Sequence, residues 1–209
     1  MANRIARLTT PAAFRKHAPM KSRLLFCLIT SLVLAVRHGH TEEANNWEKI
    51  SSPSPDKKFA MRIVCENEPA EPENIDSSEV KAIEIVAMPG KEVVGSLTPG
   101  DYKGFHLIWA SDSKWFAYYS LSGPRVGDTY VYRLEAGKFV LLNTDELSVP
   151  VKGDARNQYI EPVRWSKPGT LVLKQYTIFR GDAGDSTIQF TVRFDDSGKF
   201  HVISKKKSG

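Results

Sequence analysis

From residue 47 onward, apolar and polar side chains alternate with a period of two, in short runs separated by clusters of Gly, Pro, Asp and Ser. That period belongs to strands that bury one face, and the clusters are turn chemistry. The runs fall into three groups of four. The first predicts strands over 47–50, 59–64, 80–87 and 92–97, with Met88-Pro89-Gly90-Lys91 as its last turn. The second predicts 105–110, 114–121, 129–134 and 138–142, and the third 162–165, 170–179, 187–194 and 199–203. After the amino-terminal region the pattern calls for no helix. The expected fold is all-β, built from three four-stranded antiparallel meanders over about 47–97, 105–143 and 162–204.

The groups share a landmark. Ser54-Pro55-Asp56-Lys57-Lys58-Phe59, Ala110-Ser111-Asp112-Ser113-Lys114-Trp115 and Ser166-Lys167-Pro168-Gly169-Thr170-Leu171 follow one another at a fixed step of about 56 residues, the mark of a repeated supersecondary unit. With Trp109 in front and an apolar strand behind, the middle copy resembles the blade signature of WD40-like, TolB-type β-propeller repeats. The resemblance implies a β-propeller-like array of four-stranded blades and a role as a binding scaffold. The third copy departs from it, with Pro168 in place of the acid. Closed propellers take about four to eight blades. Three units therefore imply an open arc, a ring closed by two chains, or meanders packed as a sandwich or distorted barrel.

Alternation along the aromatic strand of the middle group places Trp115, Ala117 and Tyr119 on one face and Phe116 and Tyr118 on the other. A strand with apolar groups on both faces fits between two sheets, so these rings are expected in the core rather than on a ligand platform.

Residues 1–35 carry Arg4, Arg7, Arg15, Lys16, Lys21 and Arg23 and no acid, and then run through the apolar stretch 24–36. This is the layout of a basic leader and signal-peptide core, too short for a comfortable membrane span. It predicts export to the periplasm or cell exterior, with cleavage near Ala35, a linker over 36–46, and no membrane association after cleavage. Met20 is a second possible start. The leader also accounts for the charge. It holds six of the 29 Lys and Arg and none of the 24 Asp and Glu, which leaves 23 cations against 24 anions. A near-neutral mature chain gives no reason to expect a nucleic-acid partner. Lys205-Lys206-Lys207 reads as a solvated basic tail over 205–209. Cys27 lies in the leader, so Cys65 stands alone afterwards and is expected as a small buried hydrophobe rather than a disulfide partner.

Val36-Arg37-His38-Gly39-His40-Thr41 resembles the motif of histidine phosphatases, which implies a nucleophilic His38 and a phosphate clamp at Arg37. That chemistry belongs on alternating helices and strands, and the period-two pattern after residue 47 opposes it. Cleavage after Ala35 would also place Val36, Arg37 and His38 where an amine, amides and imidazole bind copper or nickel, but a flexible polar linker is the better explanation of them. Arg180-Gly181-Asp182 spells an adhesion tripeptide, and Asp182-Ala183-Gly184-Asp185 resembles part of a calcium loop. A hairpin turn accounts for both. No catalytic residue, metal site or cofactor is therefore assigned.

What remains is binding. The slot between second and third strands holds the acidic stretch 66–78 in the first group, 122–128 in the second and 180–186 in the third. Loops in one topological slot emerge on one edge, where scaffolds carry recognition. Arg125, Asp128, Arg180, Asp182 and Asp185 are the candidate binding residues, for a protein or glycan partner. The segment 144–159 is another candidate edge. Uncovered sheet edges also suggest a homodimer.

Overall fold

The computed structural model describes residues 46–97, 104–143, 145–181 and 183–208. The leader, the linker up to Asn45 and Asp182 lie outside the described residues. The chain is all-β, in three successive meanders. The first holds β1 (Trp47–Ser51), β2 (Phe59–Cys65), β3 (Val80–Ala87) and β4 (Glu92–Leu97). The second holds β5 (His106–Trp109), β6 (Trp115–Gly123), β7 (Val126–Glu135) and β8 (Lys138–Leu141). The third holds β9 (Ala155–Lys167), β10 (Thr170–Phe179), β11 (Asp185–Phe194) and β12 (Phe200–Ser208). A single 3-10 turn, Ser77–Glu79, capped by Asp76, is the helical piece among the described residues. None of their helices is long and apolar enough to cross a membrane.

The expectation of three separate sheets needs correction. The first meander is a four-stranded sheet, but the second and third share one eight-stranded sheet. The link is a short parallel ladder in which Val126 and Gly127 of β7 pair with Gln158 and Tyr159 of β9. It exists because β8 is too short to cover β7. β8 pairs only from Tyr132↔Leu141 to Glu135↔Lys138. Between the two partners the buried side chain of Asn143 stands in for a strand, its Oδ1 accepting from Val131 N at 2.7 Å and its Nδ2 donating to Thr129 O at 3.2 Å. The edge of β7 is thus paired by three different segments, as a buried edge requires. The two sheets pack as layers and do not close on themselves.

Strand boundaries move as well, most at β9 and β12. β9 begins at Ala155, and β12 runs to Ser208 with Lys205, Lys206 and Lys207 opposite Phe190, Gln189 and Ile188. The basic run is an exposed edge strand instead of a tail. Lysines there discourage pairing with another chain through that edge.

β6 lies between two cores. Phe116 and Tyr118 pack with Met61, Ile63, Ile83 and Ile85 of the first sheet, while Ala117 packs with Leu171, Leu173, Phe190 and Val192 of the third meander. Burying a side chain such as Phe116 stabilises the fold by about 1.5–3 kcal/mol. The aromatics of β6 are core, as their presence on both faces implies. Cys65 is fully buried in the first of these cores.

The 56-residue repeat is a structural repeat. Lys57, Ser113 and Gly169 occupy the same left-handed turn position, with φ of 61°, 59° and 71°. Each of the first two turns is closed by the same bond, Ser54 N to Phe59 O at 2.8 Å and Ala110 N to Trp115 O at 2.9 Å. Asp56 and Asp112 accept from Lys58 N and Lys114 N. In the third copy Pro168 takes the acid's place and Gly169 adopts the left-handed conformation without its help. Successive units are tied alike: Trp109 Nε1 donates to Ser52 O at 2.8 Å, and Trp165 Nε1 donates to Ile108 O at 3.1 Å.

Candidate functional site

The parallel start of β7 and β9 places the β6–β7 turn at the end of the sheet that also carries the start of β9 and the β10–β11 loop. Strand growth has reduced the first of these to Pro124-Arg125. Gln158 N donates to Arg125 O at 2.9 Å, and Tyr159 Oη donates to Pro124 O at 3.0 Å. Across the third meander, Arg180 N donates to Asp154 O at 2.9 Å, and the two side chains form an ion pair at 3.2 Å. Gly153 is required here: with φ of 129° its backbone passes so near Phe179 that a Cβ would lie 2.9 Å from the ring.

At the centre of this end, Tyr159 and Tyr176 are cross-strand partners, stacked with centroids 6.3 Å apart and planes at 18°. Asn157 Nδ2 donates to Tyr159 Oη at 2.9 Å, and Tyr176 Oη donates to Asp185 Oδ2 at 2.9 Å. Lys174 and Glu161 form an ion pair at 2.6 Å one step along the same strands. Tyr119 lies deeper, across Gly127, where a Cβ would sit 2.3 Å from its hydroxyl. Burial, with the nearby Glu161, Tyr159 and Asp128, pushes the Tyr119 phenol up to about 12. Burial also raises the Asp128 carboxyl, opposed by a hydrogen bond from the Ser122 hydroxyl. The Tyr176 phenol is raised, first by its bond to Asp185.

No family model matches this sequence, and no curated protein resembles it.

Four of the five residues expected from sequence can be placed. Arg125 is exposed at the turn tip, Asp128 is half-buried beneath it, Arg180 is exposed in its ion pair, and Asp185 is exposed and bonded to Tyr176. Asp182 lies outside the described residues, as do Arg37, His38 and His40. Gly181 and Gly184 have φ of 64° and 71°, as a hairpin loop between β10 and β11 demands.

The acids of this end are engaged by Ser122, Tyr176, Lys174 and Arg180. His106 faces Tyr119, its basicity lowered by burial against the opposing pull of Glu161 and the Pro162 carbonyl, and His201 pairs with Asp195 elsewhere. No group of three His, Cys, Asp or Glu among the described residues could hold a metal ion. Sequence reading missed the Tyr159/Tyr176 pair. The alternation of β9 begins earlier than Pro162, and only the register 159↔176 brings the rings together.

Proposed function

We propose that this is an exported, non-catalytic binding module, a propeller-like array of three four-stranded units whose loop-bearing end receives a protein partner. The observation that carries it is the surface around the stacked Tyr159 and Tyr176, flanked by Arg125, Arg180, Asp185 and the Lys174–Glu161 pair. Rigid tyrosines beside arginines are a composition that protein-recognition surfaces favour, since two-torsion rings offer area at small entropic cost. The repeated left-handed turns and the Trp-to-carbonyl ties support the array. The basic, acid-free leader supports export.

The ends of the array fit an open arc. The outward side of the first sheet carries the network of Glu48, Arg62 and Glu84, with Arg62 within 3.1 Å of Glu48 and 2.6 Å of Glu84. Repeat arrays need such polar terminal faces.

The test is a photo-crosslinking amino acid placed at position 125 or 185, with position 48 as control, in cells exporting the protein. A discrete adduct from 125 and 185, absent from 48 and lost in Tyr159→Ala/Tyr176→Ala, is expected. Equal adducts from all three positions, or none, refute the assignment. Mass spectrometry of the exported chain gives its amino terminus, expected near residue 36. An amino terminus at residue 1 refutes cleavage.

A further inference from the structure

The two junctions between units differ in a way that the repeat does not require. Where the first unit meets the second, Asp56 N donates to Ser113 Oγ at 3.0 Å, so a hydroxyl spans the seam. In the same register the partner of Asp112 is residue 169, which is Gly and carries no hydroxyl. Beside this second seam lies an open groove of about 380 Å³, lined by Trp109, Ser111, Val163, Arg164, Trp165 and Lys167 among others.

The groove's charge is peculiar to the third unit. Arg164 stands where the earlier copies have Ser52 and Ile108, and Lys167 where they have Pro55 and Ser111. Both cations are exposed, and neither has an acidic partner among the described residues. By contrast Lys49, Arg62, Arg133, Lys174 and Arg180 each hold a carboxylate. Val163, 47% exposed, adds apolar surface to the rim. Trp165 is held in place by its bond to Ile108 O, so its ring orientation is set before any ligand arrives.

From this combination we infer that the groove is a binding site for an acidic sugar, a uronic acid residue of a glycan. A pyranose ring packs an apolar face on the indoles, the Ser111 hydroxyl meets one of its hydroxyls, and Arg164 with Lys167 takes the carboxylate through charge-assisted hydrogen bonds. The volume lies at the small end of the range of ligand sites, about 300–1,000 Å³, and suits short saccharides better than a folded partner. The site is independent of the tyrosine end. Along β9, Tyr159 of that end and Trp165 of the groove lie six residues apart, about 20 Å at roughly 3.3 Å per residue.

The probe is digalacturonate, with galactobiose as its neutral counterpart, read by the fluorescence of the groove's tryptophans and by calorimetry. Saturable binding of digalacturonate is expected, with galactobiose weaker. Arg164→Ala/Lys167→Ala is expected to weaken it by about tenfold or more, since both charge-assisted contacts to the carboxylate are lost. Replacing Lys205, Lys206 and Lys207 together by Ala is expected to leave it unchanged. Absence of saturable binding overturns the inference. So does an equal loss in the triple lysine variant, and so does equally tight binding of an oligoglutamate peptide, which would mean that the groove reads charge alone. None of these outcomes bears on crosslinking at the tyrosine end.

Discussion

Replacing Gln175 by Leu tests how the chain is held on its way into β9. Gln175 is fully buried in β10, and its amide acts as a strand for a segment that has none: Oε1 accepts from Val149 N at 2.8 Å, and Nε2 donates to Val149 O at 3.0 Å. A second bond joins Nε2 to Gln158 Oε1 at 3.2 Å. Leu has a similar shape but cannot bond, so both backbone groups of Val149, a residue 3% exposed, lose their partner. Each orphaned buried group costs about 1–3 kcal/mol, and the more apolar side chain returns about 1–2 kcal/mol. A net destabilisation of about 3 kcal/mol is expected, which lowers the melting midpoint of a domain of this size by about 6–12 °C. Urea unfolding followed by tryptophan fluorescence should show a lower midpoint with an unchanged slope. Hydrogen exchange should show the Val149 amide losing protection. Gln189→Leu, at an exposed position of β11, serves as control and should stay within about 0.5 kcal/mol of wild type. A Gln175→Leu protein as stable as that control would refute the reasoning, because Val149 would then have to be satisfied without the amide.

Two smaller predictions concern the turns. Ser113→Ala removes the hydroxyl that accepts from Asp56 N across the first seam without changing the left-handed backbone, and should cost about 1–2 kcal/mol in urea unfolding. Asp195 is held down at about 2 by the Ser197 hydroxyl first, then by His201 and the amides of Lys199 and Ser197. Its folded value lies below its unfolded one, so its stabilisation is complete above about pH 4 and is lost as pH falls through about 2. Thermal melts of Asp195→Asn between pH 5 and 2 should therefore fall less steeply than those of wild type, and identical slopes would contradict the assignment.

Strand positions were legible because they follow from nearest-neighbour chemistry. The period of two in 59–64, 80–87 and 170–179 fixes which side chains share a face, and Asp-Ser-Lys or Pro-Gly fixes where the chain turns. The repeat was legible for the same reason, since each copy must supply a left-handed residue at the same place, met by Lys57, Ser113 and Gly169. Both faces of β6 could likewise be assigned to cores from Trp115 to Tyr119 alone.

Pairing between units was not legible, because it depends on contacts far apart in sequence. That β8 leaves half of β7 free, that Asn143 fills the gap and that β9 then joins in parallel follows only when the strands are placed side by side. The same holds for both candidate sites. Arg125, Arg180 and Asp185 could be named from their loops, but the Tyr159/Tyr176 stack between them is a matter of register. The groove depends on two cations and two indoles brought together from β5 and β9, its two indoles, Trp109 and Trp165, being one repeat apart in the chain. Local pattern determined the strands, their buried faces and their turns. Only the tertiary structure decided which edges meet, because a strand's hydrogen-bonding edge is the same whichever partner it finds, and the choice rests on how the buried faces pack.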